Sequence, residues 1–244
     1  MSPLHISVFP DHEAMSRAAA DLVAAAIRAR PDARIVAPTG RTPTAMYREL
    51  ARRRERGELD ASRLTVYQLD EYEGVAPEDH RSLLGWLLRD FAEPLGIPPE
   101  RVVPVPRDGD PEACATYDAE VEREGGYDLA ILGIGPNGHV GFNEPPSDAD
   151  APTRLVALSR ESRRSNARYW GAEEVPRRAV TIGMRGLLAA RSILLLASGS
   201  AKREIVRRAL LGPVTPEVPA SLLRTVGLRS TEVRILLDRD AWEP

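Results

Sequence analysis

Apolar residues recur at helical spacing over residues 11–30, where Met15, Ala18, Ala19, Leu22, Val23, Ala26 and Ile27 follow an i, i+3, i+4, i+7 rhythm. Asp11 stands where an N-cap belongs and Pro31 stops the pattern, so an amphipathic helix is predicted. Beyond it the rhythm changes. Short apolar or β-branched runs at 34–37, 64–69, 127–132, 179–182, 193–197 and 233–237 read as strands. Helical patterns near 43–55, 81–94, 111–124, 161–170 and 201–211 lie between them. This alternation predicts the α/β class, with a doubly wound, mainly parallel sheet and helices on both faces. No linker, internal repeat or low-complexity tract interrupts it, and 244 residues are read as a single domain spanning 1–244.

Composition narrows the partners. A mixture of 43% hydrophobic and 28% charged residues is that of an ordinary globular chain. The formal net charge of -3, from 33 basic and 36 acidic residues, offers no global field for nucleic acid or an anionic membrane. A small-molecule partner is expected instead. The run at 52–56, Arg-Arg-Arg-Glu-Arg, reads as a solvated helix end. The strongly apolar run 193–197 is far short of the roughly 20 residues of a membrane helix, and the first ten residues lack the features of a secretion signal. The single cysteine, Cys114, allows no intrachain disulfide and reads as core packing, which suits a reducing compartment; a cytoplasmic location is expected.

In doubly wound sheets ligands bind beyond the carboxyl ends of the strands, and four loops there are chemically unusual. Pro38-Thr-Gly-Arg-Thr-Pro43 leads into a helix and can cradle a phosphate on backbone N–H groups, although the Walker spacing is absent. Asp70-Glu71-Tyr72 follows a strand directly, and a partly desolvated carboxylate there can act as a general base. Gly133, Gly135 and Gly138 formally match G-x-G-x-x-G, yet Pro145 and Pro146 follow too soon for the long helix of a dinucleotide site. That loop carries His139, with Asn137, Asn143 and Glu144 close by; a glutamate orienting the ring would complete an acid–base pair. The fourth loop, Ser198-Gly-Ser-Ala-Lys202, ends on the only lysine of the chain, a point charge with a tunable pKa beside a helix start. His5, His12, His80 and His139 are scattered and show no metal-ligand spacing, so acid–base chemistry without a metal is expected.

With these residues the sequence resembles the glucosamine-6-phosphate deaminases, within the larger group that includes 6-phosphogluconolactonases. The resemblance runs over nearly the whole chain. It is carried by Pro38–Pro43, Leu69-Asp-Glu-Tyr72, Gly135-Pro-Asn-Gly-His-Val-Gly-Phe-Asn-Glu-Pro145, Ser165-Asn-Ala-Arg168, 175–183 and Ser198–Lys202. It implies a Rossmann-like fold and an enzyme of amino sugar metabolism, a cytoplasmic hydrolase that turns glucosamine 6-phosphate and water into fructose 6-phosphate and ammonia. On the same resemblance Asp70 is the proton-shuttling base, and His139, supported by Glu144 and Asn137, helps open the sugar ring. The phosphate would sit on Thr39, Gly40, Arg41 and Thr42, with Arg168 and Lys202 as cationic partners; no cofactor is implied. The continuation Phe142-Asn-Glu-Pro145 favours deaminases over lactonases.

Several positions depart from the family pattern. Asn137 replaces an aspartate found in many relatives, Arg41 a small residue, and His80-Arg-Ser82 the commoner His-Pro-x-Ser, while Glu73 adds a charge beside the proposed base. Regulated hexameric members have an allosteric lysine where this chain has Val156, and a carboxyl-terminal extension; Arg154 matches part of that site. A monomer or small homo-oligomer without that control is expected. The alternatives are lactone hydrolysis and a non-catalytic sugar-phosphate sensor, the latter lacking room for a helix-turn-helix module before Leu4.

Overall fold

The computed structural model describes residues 4–171, 173–228 and 231–243. In chain order the elements are β1 (Leu4–Phe9), α1 (His12–Ala29), β2 (Arg34–Ala37), α2 (Arg41–Glu55), β3 (Thr65–Gln68), β4 (Asp70–Tyr72), α3 (Leu83–Leu87), β5 (Val102–Val103) and α4 (Pro111–Arg123). They continue as β6 (Leu129–Gly133), β7 (Arg154–Ala157), α5 (Arg160–Asn166), β8 (Arg178–Thr181), α6 (Met184–Leu188), β9 (Ser192–Ala197), α7 (Arg203–Leu211), β10 (Glu232–Asp238) and α8 (Arg239–Trp242).

Seven strands form one sheet in the order β1-β10-β9-β6-β2-β3-β5, and every neighbouring pair is parallel. The chain builds outward from β2 through β3 to β5, returns to β6, and then builds the other way through β9 and β10. The order therefore reverses between β2 and β6, the place where such sheets bind ligands.

Strand side chains alternate between two cores. Ile35, Val66, Ile131, Leu194 and Leu236 pack with Met15, Val23 and Ile27 of α1 and Met46 and Leu50 of α2. Val36, Tyr67, Leu132, Leu195 and Ile235 pack on the opposite face with Cys114 and Val121 of α4, Leu187 of α6 and Val206 of α7. A strand buried on both faces must be apolar at consecutive positions, and a fully buried Ile or Leu contributes about 1.5–3 kcal/mol. The helices begin where the side chains allow. Asp11 accepts from the N–H of Ala14 at 2.7 Å to start α1, and Asp110 accepts from Ala113 at 2.9 Å to start α4.

The structure corrects the sequence expectation in two places. The run 179–182 was expected in the main sheet, but β8 lies in a separate antiparallel sheet, β4-β8-β7, where Asp70 pairs with Thr181. Asp70–Tyr72, expected as loop, is thus a strand. The helix expected near 81–94 runs from residue 83 to 92 and widens after Leu87 from α to π-type winding, with Glu93 donating to Leu88 O at 2.9 Å. β1, β5, β7, α6 and α8 are further elements; β1 is an edge strand with exposed Ile6 and Val8, and the others are too short to carry a period.

Candidate active site

The reversal between β2 and β6 holds a cleft of about 170 Å³. All four loops singled out in the sequence reach it. Thr39, Gly40, Arg41 and Thr42 line it after β2, Asp70 after β3, His139 after β6 and Lys202 after β9, with Arg168 from the turn following α5. Asn137 and Glu144 do not line the cleft but stand behind His139. Tyr72, Leu83, Trp86, Phe142 and Tyr169 add an apolar wall.

One end of the cleft has features that can receive an anion. Gly40 turns at φ 106°, a conformation that only glycine adopts freely, and α2 starts at the next residue with no side chain capping it. Its first N–H groups are therefore open to an anion, and the helix dipole adds to the attraction. Tyr47 holds the loop by donating to Pro38 O at 2.7 Å. Lys202 Nζ donates to Ile134 O at 2.7 Å, which fixes the ammonium at the cleft. Burial first, and then repulsion from Arg168, lowers its pKa to about 8. The Arg168 guanidinium lies over the Tyr169 ring at 4.8 Å.

The other end brings titratable side chains together. Asp70 is buried, and desolvation, reinforced by Glu71, pushes its carboxyl pKa up to about 8. Glu71 points the opposite way along β4 and is fully engaged. It accepts from Gln68 Nε2, Ser82 Oγ and the N–H groups of Tyr72, Leu83 and Leu84 at 2.8 to 3.1 Å, tying the base strand to the start of α3.

His139 contacts polar groups through Nδ1. Asn137 Oδ1 lies 2.8 Å away and Ser162 Oγ 3.1 Å, whereas Glu144 Oε1 is at 3.8 Å and has no hydrogen-bond partner among the described residues. Asn137 Nδ2 donates to Glu144 Oε2 at 2.6 Å. The asparagine, not the glutamate, thus holds the ring directly, a correction to the pairing expected from sequence. Burial lowers the imidazole pKa to about 4; nearby Glu144 opposes the shift and Lys202 adds to it. The ring also explains a glycine. A Cβ on Gly135 would lie 2.1 Å from His139 Cε1 and Nε2, so no larger residue fits there.

A buried high-pKa carboxyl and a neutral imidazole beside an anion-binding helix start suit proton transfers on a phosphorylated small molecule. Among the described residues no group of three or more His, Cys, Asp or Glu side chains could hold a metal ion, and no helix is long and apolar enough to cross a membrane. Residues 10–231 match the family described as glucosamine-6-phosphate isomerases/6-phosphogluconolactonase. The chain belongs to this family. It is 40% identical to a glucosamine-6-phosphate deaminase of Halothermothrix orenii, over 98% of both chains. It is 36% identical to one from Thermoanaerobacter pseudethanolicus, over 98% of this chain and 94% of the relative. The solved structure of a monomeric glucosamine-6-phosphate deaminase superposes with a TM-score of 0.92 at 34% identity, over 98% of both chains. A Trypanosoma brucei 6-phosphogluconolactonase shares the fold, with a TM-score of 0.78 at 20% identity over 99% of this chain and 98% of that one.

Asn137 joins Glu144 to His139 as a neutral bridge. Arg41 lines the cleft at the start of α2. Glu73 pairs with Arg178 and does not line the cleft, and the His80 side chain is 84% exposed. Arg154 is engaged inside the chain, donating to Asn143 Oδ1 and Ser147 Oγ at 2.9 Å and to Pro152 O at 3.1 Å. Sequence reasoning missed the aromatic wall and the serines behind His139. Trp86 and Tyr169, 5.1 Å apart, lie on elements far apart in sequence, so no local spacing signals their meeting.

Proposed function

We propose that this chain is a glucosamine-6-phosphate deaminase, converting glucosamine 6-phosphate and water to fructose 6-phosphate and ammonia. The observation that carries this reading is one cleft lined by Asp70 and His139 together with the uncapped start of α2 and Lys202. The deaminase relatives support the substrate class.

The phosphate binds the Thr39–Thr42 backbone, with Arg41, Arg168 and Lys202 as cations; charge-assisted hydrogen bonds of this kind contribute about 1.5–3 kcal/mol each. His139 takes the proton of the sugar O1 hydroxyl as the C1–O5 bond breaks and returns it to O5, opening the ring. Asp70 then removes the C2 hydrogen while the substrate's own ammonium group gives a proton to the C1 carbonyl oxygen, leaving a neutral enolamine, and Asp70 delivers the C2 hydrogen to C1. The resulting C2 iminium adds water and releases ammonia. Glu144 acts behind His139 through Asn137. The steps call for no cofactor, since each moves a proton next to a carbonyl or iminium carbon.

The protein acts as one domain, supported by the pairing of β1 with β10 across the length of the chain, and as a monomer, like its structural relative. A cytoplasmic location fits the single buried Cys114. Parallel assays decide between the activities. Ammonia release from glucosamine 6-phosphate without accelerated hydrolysis of 6-phosphogluconolactone is expected; lactone hydrolysis above the spontaneous rate with no ammonia would reverse the assignment.

A further inference from the structure

Ser162 is completely buried on the first turn of α5 and touches the imidazole of His139. The hydrogens around it can be placed by counting donors. Ser159 Oγ accepts from the N–H of Ser162 at 3.1 Å and from Asn137 Nδ2 at 3.2 Å, and both of these groups can only donate. Both lone pairs of Ser159 are then used, and its hydroxyl hydrogen goes to Ser162 Oγ at 3.0 Å. The Asn137 amide is oriented by the same logic. Its Nδ2 faces a carboxylate oxygen of Glu144 at 2.6 Å, so its Oδ1 faces the ring. A lone pair on Nδ1 cannot lie 2.8 Å from that oxygen without repulsion, so Nδ1 carries the hydrogen. Ser162 Oγ, at 3.1 Å, is its second acceptor.

We propose that Ser162, backed by Ser159, is a positioning residue for His139. Its hydroxyl oxygen and the Asn137 amide oxygen hold the ring hydrogen on Nδ1 between two neutral acceptors, which leaves the Nε2 lone pair for the substrate. The two serines have a second consequence, because α5 continues into the turn that carries Arg168. Docking of this one element therefore sets the ring and places a phosphate-binding cation together. The role in turnover rests on the deaminase reading; the position of the ring hydrogen does not.

Ser162→Ala is a suitable variant, since alanine is the better helix former and leaves the first turn of α5 intact. Proton NMR of the unliganded protein should show a hydrogen-bonded Nδ1–H of His139 from pH 6 to 8, assigned by its loss in His139→Gln. In Ser162→Ala that resonance should move upfield and exchange faster with water, and Ser162→Thr should restore it. With glucosamine 6-phosphate, Ser162→Ala should lower kcat about tenfold, the scale of one lost hydrogen bond, with KM within about threefold. Ser162→Thr should recover most of kcat. Wild-type protein with its ring hydrogen on Nε2 would overturn the proposal without any substrate present. So would a Ser162→Ala resonance and kcat equal to wild type, or a kcat loss that Ser162→Thr fails to rescue while folding normally.

Discussion

The carboxyl group of Asp70 is buried where its charged form is poorly solvated, which ties stability and, on the proposed mechanism, catalysis to one titration. Its pKa lies near 8 in the fold against an ordinary 3.8, so the folded chain binds this proton more tightly than the unfolded chain. Stability from this group is therefore greatest at low pH and is lost as pH rises from about 4 to 8. Asp70→Asn should raise Tm, with a gain on the order of a few kcal/mol at pH 8 and a smaller one at pH 5, measured by thermal unfolding. A difference that does not grow with pH would contradict the burial argument. The same group must be ionised to act as a base, so kcat/KM should climb with pH up to about 8. A flat profile between pH 6 and 8 would remove Asp70 from that role. Gly135 gives a steric test. Gly135→Ala should displace the imidazole and lower kcat by about a hundredfold or more while circular dichroism stays unchanged. Asp70, His139 and Lys202 were legible in the sequence because each lies shortly beyond a strand of the main sheet in an unusual segment. Ser162 was not, because its meeting with His139 spans 23 positions and depends on how α5 docks.

Among the elements, the parallel strands are anchored at the end away from the cleft by Asp128, just before β6. Its carboxylate accepts from the N–H of Arg34 at 2.8 Å and from Arg30 Nη1 at 2.6 Å, and lies 3.2 Å from Arg191 Nε. It thus joins β2, β6 and β9 where they enter the sheet. Asp128→Ala should cost about 1 kcal/mol in urea unfolding through the half-buried Arg34 N–H it leaves unpaired, with kcat per folded molecule unchanged. An equal loss of kcat at full folding would show that strand entry and cleft are coupled. Long elements were the legible ones. α1 and α4 have a cap, an apolar stripe and a stop, whereas β4 was read as loop because Asp-Glu-Tyr has no apolar alternation. Its strand conformation comes from β8, a partner more than a hundred residues away.

For the whole molecule, the strand order converts sequence-distant loops into one site. β2 and β6 are neighbours although α2, β3, β4, α3, β5 and α4 lie between them, so the phosphate loop and the His139 loop meet only in the fold. The α/β class and the helices on both faces followed from the alternation of periods, while the second sheet did not, since its strands are short and pair antiparallel across long connections. The phosphate end and the proton-transfer end of the cleft should also be separable by ligand. Inorganic phosphate should raise Tm in wild type and in Asp70→Asn alike, because its proposed site is the start of α2 with Lys202, and should do so less in Lys202→Ala. The most direct measurement is simultaneous assay of ammonia and fructose 6-phosphate from glucosamine 6-phosphate, for wild type and Asp70→Asn. On the proposed deaminase mechanism, equal amounts of the two products come from wild type and neither comes from Asp70→Asn, which still binds the sugar phosphate. Undiminished turnover in Asp70→Asn, or binding without either product in wild type, would contradict it.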